Sequence, residues 1–196
     1  QKTFPNLEII NSEKNLGYAG GHHLNVLYAA KNFFDAIWIL NSDLEVKSQT
    51  LAHLLKAWEK KGDHIYGSVS LNSKDQNLVD FAGGLSPDET DDFSYNIFNN
   101  TKYEKLPKEA IREVQSVEGS SIFIPIELIN KYGFMHTNFF MYGEETDYCF
   151  RLREKGVKSY IVRSSTVLHN IGNSFKFKEN IFWISSYYKR RNFMRF

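Results

Sequence analysis

Three short clusters of polar side chains carry the residue types that metal-assisted group transfer needs. The first is Asn41-Ser42-Asp43, which directly follows the apolar run Trp38-Ile39-Leu40. In open α/β sheets ligands bind at the carboxyl ends of strands, and a carboxylate there can hold Mg²⁺ or Mn²⁺ against a diphosphate. The same residue types also favour turns and helix N-caps. The triplet therefore fits equally well a cap for a helix that begins near Ser48.

The second cluster places three carboxylates, Glu144, Glu145 and Asp147, at the start of a predicted helix. Acidic side chains are stabilised at the amino end of a helix by its dipole and its free N–H groups. Three of them exceed that need. Their mutual repulsion raises their proton affinity while the dipole opposes the rise. One of the three is therefore a candidate general base.

The third candidate is His169, which ends an apolar, strand-like run just ahead of a glycine turn at Gly172. A single histidine in such a place is commonly a hydrogen-bonded structural residue. Its neutral imidazole can also supply a nitrogen ligand to Mn²⁺, which the oxygen-preferring Mg²⁺ values less. The sequence leaves both interpretations open. The other histidines, including His22-His23, have no partner at metal-ligand spacing.

An α/β sheet with crossover helices is expected to position these clusters, because short apolar runs alternate with segments of helical period. A first helix, after a Gly-Gly turn, has Leu24, Leu27 and Tyr28 as its apolar face and completes a βαβ unit with the strands on either side. A second helix ends at Gly62. Its apolar face is Leu51, Leu54, Leu55 and Trp58. The predicted strands are residues 7–10, 36–40, 65–71, 117–124 and 157–162.

Two further segments have more than one interpretation. Residues 86–108 are polar and show no period, which is typical of a lid, a binding loop or a mobile segment. The closing residues 176–196 form a predicted amphipathic helix with aromatic residues and the basic cluster Lys189-Arg190-Arg191. Such a helix can rest on anionic lipid as a peripheral membrane contact, or dock on the protein's own core with its cations in solvent.

Composition bounds the class of protein. A chain of 196 residues that is 42% hydrophobic supports one core, here expected over residues 1–175. The net charge of +1 gives no long-range field for nucleic acid, which is not an expected partner. The single Cys149 excludes an internal disulfide framework and favours a cytoplasmic location, at the inner face of the cell membrane if the closing helix binds lipid. No apolar run reaches the roughly 18 residues of a membrane span, and the first residues show no signal-peptide pattern.

Four motifs occur in an informative order: NLGYAGG at 15–21, LNSD at 40–43, GSSIFI at 119–124 followed by KYG at 131–133, and FMYGEETD at 140–147 followed by Arg151. Together they resemble the family-2 glycosyltransferases over residues 4–191, especially the bacterial branch of rhamnosyl- and galactofuranosyltransferases in cell-surface polysaccharide assembly. The resemblance implies a GT-A fold, which is a Rossmann-like mixed sheet flanked by helices. It also implies a nucleoside-diphosphate-sugar donor, a divalent cation (Mn²⁺ or Mg²⁺), and transfer with inversion to a glycan or lipid-linked acceptor.

The resemblance also implies roles for single residues. Asp43 matches the metal ligand of a relaxed DxD motif, with Asn41 beside the nucleotide or the metal. His169 matches a position where some relatives place a histidine on the same metal. The glycine-rich turn implies contact with the donor nucleotide by Asn15, Gly17 and Gly21.

For the base, the family commonly has Glu-Asp where this chain has Glu144-Glu145, so the catalytic position falls on Glu145. A glutamate reaches one methylene further than an aspartate, which calls for a compensating shift of the backbone or the acceptor. Asp147 is expected to orient the acceptor or to brace Arg151, four residues further along the same helix face. Glu144 and Asp147 are the alternative bases.

The resemblance is incomplete at its start. The family opens with a strand, a turn and a helix that hold the nucleotide, and no counterpart occurs here, so the sequence predicts a chain that lacks the N-terminal strand. A truncated, non-catalytic carbohydrate-binding protein is therefore an alternative. A sugar-phosphate nucleotidyltransferase is another, but its Gly-rich Thr-Arg-Lys type loop is not found in the sequence.

Overall fold

The computed structural model of the chain describes residues 7–85, 96–170 and 178–194, and of residues 178–182 only the backbone. The described strands form one mixed sheet with helices on its faces. The helices are Gly17–Lys31 (α1), Thr50–Lys61 (α2), Ile126–Tyr132 (α3), Glu144–Arg153 (α4) and Lys178–Phe193 (α5). The strands are Ala36–Leu40 (β1), Leu44–Val46 (β2), Ile65–Asn72 (β3), Leu78–Phe81 (β4), Thr101–Lys102 (β5), Ile111–Val114 (β6), Ser121–Pro125 (β7) and Ser159–His169 (β8).

The central strand of the sheet is β3. It pairs in parallel with β8 and antiparallel with β7 and β4, and the main order is β1-β7-β3-β4-β5. The long strand β8 also pairs antiparallel with β6 and with β2. The predicted mixed sheet flanked by helices is confirmed. Because β1 pairs with β7 and β2 pairs with β8, the turn between β1 and β2 is held on both sides.

The alternation of β7 shows how the sheet separates two cores. Ile122 and Ile124 face a larger core that also takes residues from α1, α3 and α4. Phe123 faces a smaller core with Leu54 and Ala57 of α2. Successive side chains of a strand point to opposite faces, so an uninterrupted apolar run is what a strand covered on both faces requires.

The first predicted strand does not form. Residues 7–10 have no regular secondary structure, and all four side chains are exposed. Within the described ranges no strand pairs with this segment, so neither ladder hydrogen bonds nor burial offset the entropy of ordering it. The predicted βαβ unit is therefore wrong, and the segment leads directly into α1.

The first helix forms, but with a different apolar face. It begins at Gly17, so the glycine-rich segment is part of the helix rather than a turn ahead of it. The helix buries Ala19, Val26 and Ala29, whereas Leu27 is 58% exposed. Small side chains let the helix axis approach the core closely, and that approach decides the face.

The second helix was predicted with the correct C-cap. Its last turn ends with the Gly62 N–H donating to the Trp58 carbonyl (2.7 Å), and Gly62 has a φ of 85°. That backbone conformation favours glycine. Of the predicted apolar face, Leu54 is fully buried while Leu51 and Leu55 remain partly exposed.

Strand boundaries differ from the predictions at several places. The strand predicted at 117–124 begins only at Ser121, and β8 runs past residue 162 to His169. The described part of the predicted loop at 86–108 contains β5 and a 3₁₀ turn, Tyr103–Lys105, and residues 86–95 lie outside the described ranges. Among the described helices, none has the length and hydropathy needed to cross a membrane.

Candidate active site

An open cavity of about 760 Å³ gathers most of the residues singled out from the sequence. This volume is within the range of about 300–1,000 Å³ that is typical of ligand sites. Gly21 and Asp147 do not line it. Those that do are Asn15, Gly17, Asn41, Asp43, Glu144, Glu145 and His169.

The triplet Asn41-Ser42-Asp43 forms the turn between β1 and β2. The Asn41 N–H donates to the Ser120 carbonyl (2.9 Å), and the Leu44 N–H donates to the Asn41 carbonyl (3.3 Å). Helix α2 begins only at Thr50 and has no side-chain cap. The helix-cap interpretation of the triplet is therefore wrong, because a separate strand lies between the triplet and the helix.

The pairing of β2 with β8 brings Asp43 and His169 together from distant parts of the chain. His169 lies opposite Leu44 in the register, and the Asn170 N–H donates to the Asp43 carbonyl (3.0 Å). Their side chains are mostly buried, and Asp43 Oδ1 lies 3.5 Å from His169 Nε2. The sheet thus places a carboxylate oxygen and an imidazole nitrogen side by side in the cavity.

This pair fits a divalent cation that is shared with a substrate. Two adjacent ligands of an octahedral ion at about 2.1 Å are about 3 Å apart, close to the 3.5 Å between Asp43 Oδ1 and His169 Nε2. Within the described part of the chain, no group of three or more His, Cys, Asp or Glu side chains converges into a closed metal cage. Such an ion would complete its coordination with water and substrate phosphates, as Mg²⁺ commonly does.

The loop before α4 presents the acidic cluster and carries backbone strain. Phe140 and Tyr142 have φ angles of 62° and 68°, a region that bulky residues rarely adopt. Helix α5 offsets this strain, because the Asn192 side-chain amide donates to the carbonyls of Phe139 (3.0 Å), Met141 (2.8 Å) and Tyr142 (2.6 Å). The loop therefore keeps a conformation that residues 139–143 alone would not hold.

The docking of α5 bears on the two interpretations of the closing helix. Besides the bonds from the fully buried Asn192, Arg191 donates to the carbonyls of Asn138 (2.9 Å) and Phe139. Tyr188 stacks on Phe140 with 5.1 Å between ring centroids. One side of α5 is thus docked on the protein, as the second interpretation expected. Its cations are not all in solvent, however, because Arg191 bonds to these carbonyls and Lys189 lines the cavity, while Arg190 is exposed. Trp183 and Tyr187, on another part of its surface, are 72% and 60% exposed.

Glu144 is the more deeply buried member of the acidic cluster. It is 2% exposed, and its Oε2 has no hydrogen-bond partner. Burial raises the pKa of Glu144 well above its ordinary value, and the charge on Glu145 raises it further. A buried carboxylate without a partner for one oxygen favours its neutral form.

Substituting Glu144 should make the stability of the fold less dependent on pH. Because the pKa of Glu144 is raised in the folded state, the folded chain binds this proton more tightly than the unfolded chain does. The free energy of unfolding therefore decreases as pH rises from the ordinary glutamate pKa towards the raised pKa. The loss is at most about 1.4 kcal/mol per pH unit. Glu144→Gln, uncharged at every pH, should flatten urea-unfolding stability between pH 5 and 9. The control is Glu154→Gln at an exposed position, whose stability should depend on pH as in the wild type. If the free energy of unfolding of Glu144→Gln changes with pH as steeply as that of the wild type, the prediction is contradicted.

Glu145 is half-buried and faces the cavity. Burial raises its pKa, backbone N–H groups at the helix start oppose the rise, and the negative charge of Glu118 adds to it. A carboxylate with a raised pKa that substrate can reach meets the main requirement for a general base. The geometry thus favours Glu145 over the buried Glu144 for this role.

Asp147 is engaged elsewhere. Its Oδ2 accepts a hydrogen bond from Arg151 Nε at 2.7 Å, and Arg151 also donates to the Phe134 carbonyl (3.3 Å). This contact matches the expected bracing of Arg151, one turn along α4. Asp147 lies outside the cavity lining, and a catalytic role for it stays a prediction.

The glycine-rich segment packs against the loop before α4. Asn15 Oδ1 accepts from the Gly17 N–H (3.0 Å), and the Tyr18 N–H donates to the Phe140 carbonyl (2.7 Å). Gly17 has a φ of 71°, and a side chain there would collide with Phe140. Gly21 has open space around its Cα and lies outside the cavity lining. Nucleotide contact by Asn15 and Gly17 stays a prediction.

Tyr18, Glu118 and Lys189 also line the cavity, although sequence analysis did not assign them to the site and named Lys189 only in the basic cluster of the closing helix. Tyr18 donates its hydroxyl to the Gly119 carbonyl, and a side chain at Gly119 would meet that hydroxyl at 2.9 Å. Tyr18 lies inside the motif at 15–21, and Glu118 directly precedes the motif at 119–124. Their positions in or beside matched motifs could have identified both as candidate site residues. Lys189 had no such signal, because only the docking of α5 brings it to the site.

Acidic side chains outnumber basic ones among the described residues that line the cavity. Besides Asp43, Glu144 and Glu145 the lining includes Asp80 and Glu118, and Lys189 is the basic side chain among these lining residues. Like charges at such distances disfavour an anionic ligand unless a cation accompanies it. An accompanying cation would therefore favour the binding of a diphosphate in this cavity.

No protein-family model matches the chain. Among curated proteins, the low-salt glycan biosynthesis hexosyltransferase Agl10 of Haloferax volcanii is 23% identical over 168 residues. The match covers 84% of this chain and 52% of that protein. The chain therefore spans about half the length of this relative.

Among solved structures, the crystal structure of GalNAc-T7 with UDP, GalNAc and Mn²⁺ superposes with a TM-score of 0.58 at 16% identity, over 82% of this chain and 31% of that one. The crystal structure of A197 from STIV gives a TM-score of 0.42 at 13% identity, over 74% and 62% of the two chains.

The fold predicted from the sequence is confirmed: the chain has the mixed α/β architecture of a GT-A glycosyltransferase. Together with the sequence similarity to a hexosyltransferase, this makes the chain glycosyltransferase-like.

Proposed function

We propose that this chain is the catalytic part of a metal-dependent, inverting glycosyltransferase of the family-2 type. It moves a hexosyl or deoxyhexosyl group from a nucleoside-diphosphate sugar to a hydroxyl of a glycan or lipid-linked acceptor in cell-surface polysaccharide synthesis. The observation that carries this proposal is that Asp43, His169 and Glu145, from three distant segments, line one cavity. The similarity to Agl10 and the UDP and Mn²⁺ in the GalNAc-T7 structure support it.

In this mechanism different residues of the cavity have different tasks. Asp43 and His169 would hold a divalent cation, which would supply positive charge to the leaving diphosphate. The Glu145 carboxylate accepts the proton of the acceptor hydroxyl.

The reaction is a direct displacement. The acceptor oxygen forms a bond to the anomeric carbon as the bond from that carbon to the diphosphate oxygen breaks, and the electron pair leaves with the nucleoside diphosphate. Attack opposite the leaving group inverts the configuration. The proton finishes on Glu145.

The exposed side of α5 supports a peripheral membrane contact for this enzyme. Trp183 and Tyr187 are one helical turn apart and so share a face, and the exposed Arg190 lies nearby in the sequence. Aromatic and basic side chains together are typical of helices that rest on anionic lipid. This arrangement suits a lipid-linked acceptor, with the enzyme in the cytoplasm at the inner face of the membrane.

Incubation with a panel of nucleoside-diphosphate sugars and Mn²⁺ tests the reaction class. We expect slow release of nucleoside diphosphate with one donor, and its loss when the metal is removed with EDTA. Release of pyrophosphate from a sugar phosphate and a nucleoside triphosphate would instead identify a nucleotidyltransferase. Glycan binding that needs neither nucleotide nor metal would identify a carbohydrate-binding protein.

A further inference from the structure

Glu118 faces the nitrogen of His169 that Asp43 does not. His169 Nε2 lies near Asp43, whereas its Nδ1 lies 3.9 Å from Glu118 Oε1. This Nδ1 is fully buried and has no hydrogen-bond partner. A buried polar atom without a partner is uncommon in a native protein and calls for an explanation.

Two hydroxyl groups hold the Glu118 carboxylate in place. Ser70 of β3 donates to Glu118 Oε2 at 2.8 Å, and Ser120 donates to the same oxygen at 2.7 Å. Both serines are buried. Because both bonds end on Oε2, they orient the side chain and leave Oε1 as the oxygen beside His169.

The chemistry of a metal-binding imidazole explains the orphan nitrogen. A histidine that binds a cation through Nε2 is neutral and carries its proton on Nδ1, and a second group usually accepts that N–H. We propose that Glu118 is a positioning residue that accepts the Nδ1–H of His169 and so presents Nε2 to the cation. The proposal rests on the proposed function for the existence of that cation. A side-chain shift of about 1 Å would close the 3.9 Å gap to a hydrogen bond.

The tautomer of His169 in the metal-free chain tests this directly. Long-range ¹H–¹⁵N spectra distinguish a proton on Nδ1 from one on Nε2, and His169→Gln assigns the signal. Asp43 Oδ1 lies 3.5 Å from Nε2 and competes as an acceptor for the proton, so the spectra are recorded in Asp43→Ala. With that competitor removed we expect the Nδ1–H form. When Glu118→Ala is added and the second acceptor is also gone, we expect the population to move towards Nε2–H. An unchanged tautomer in that variant would overturn the proposal.

The affinity for Mn²⁺ alone, followed by loss of the free-ion electron paramagnetic resonance signal, is the second measurement. Removing an outer-shell partner of a metal ligand commonly weakens binding about 10- to 100-fold. We expect that loss in Glu118→Ala and also in Glu118→Gln, because Ser70 and Ser120 would hold the amide oxygen and turn the NH₂ group towards His169. The control is Glu113→Gln, an exposed carboxylate on β6 paired with Lys158, which should bind Mn²⁺ like the wild type.

The outcomes separate this inference from the proposed function. A wild-type chain that binds no Mn²⁺ would contradict the proposed metal site, and the tautomer would still decide the role of Glu118. Wild-type Mn²⁺ affinity in Glu118→Ala, with weakened donor binding, would overturn the proposal and assign Glu118 to the donor sugar instead. If Glu118→Ala does not fold, Glu118→Gln provides the test. Ser70 and Ser120 donate to one carboxyl oxygen, so they would hold the Gln oxygen and turn its NH₂ group, which cannot accept, towards Nδ1.

Discussion

Glu145→Gln is expected to reduce sugar transfer by roughly 10²- to 10⁴-fold, which is the usual contribution of a positioned general base, while donor binding stays intact. The amide nearly matches the shape of the carboxylate but cannot take the acceptor proton. The proposed cation site at Asp43 and His169 is formed by other elements, so the donor should bind as in the wild type. Initial transfer rates and isothermal titration with the donor and Mn²⁺ measure the two effects separately.

A matched control for this variant is Glu154→Gln. It makes the same chemical change at an exposed position at the other end of α4, and it should retain full activity. Full transfer activity in Glu145→Gln would refute the assignment of the base and move it to Glu144 or Asp147.

The pH dependence of transfer should agree with the same assignment. Burial, with a contribution from Glu118, raises the pKa of Glu145. The base must be deprotonated to act, so the rate should fall as pH drops through this raised value rather than through the ordinary glutamate pKa of 4.5. A rate that stays constant down to pH 5 would contradict a base with a raised pKa.

Asp43→Ala is expected to abolish transfer for a different reason, the loss of metal-dependent donor binding. The cavity keeps the carboxylates of Asp80 and Glu118, which repel a diphosphate without a bound cation. A metal ion supplies several kcal/mol of charge stabilisation to the leaving group, so activity should fall by roughly 10³-fold or more. Mn²⁺ titration and donor binding should both weaken, unlike in Glu145→Gln.

Asp43→Ala should fold normally, since the Asn170 N–H bonds to the backbone carbonyl of residue 43, which alanine keeps. Asp35→Ala is the matched control, because Asp35 is exposed and lies just before the opposite end of β1. Donor affinity in Asp43→Ala that equals the wild type and still depends on Mn²⁺ would place the metal elsewhere.

The two variants together separate the metal role from the base role. Glu145→Gln should lower the transfer rate and leave donor affinity unchanged, whereas Asp43→Ala should lower both. A non-catalytic carbohydrate-binding protein would tolerate both substitutions without loss of glycan binding. The comparison therefore tests the proposed function as well as the two assignments.

Local pattern was sufficient for several parts of the fold. The apolar run before Asn41 formed β1, Gly62 ended α2, and the acidic cluster opened α4. Each depends on interactions within a few residues, such as backbone capping and the helix dipole. Local pattern gave wrong predictions where the structure depends on distant partners. Residues 7–10 do not form the predicted strand, and α1 buries a different face from the predicted one.

The sequence by itself determined which residue types stand at the ends of the apolar segments, including Asp43, Glu145 and His169. Only the tertiary structure decided which of them meet. The register of β2 against β8 brings Asp43 to His169, and a slip of one residue would turn either side chain to the other face of the sheet. Likewise, Asn192 holds the loop before α4 through carbonyls more than fifty residues away. Such contacts depend on how whole elements pack, which no short stretch of sequence encodes.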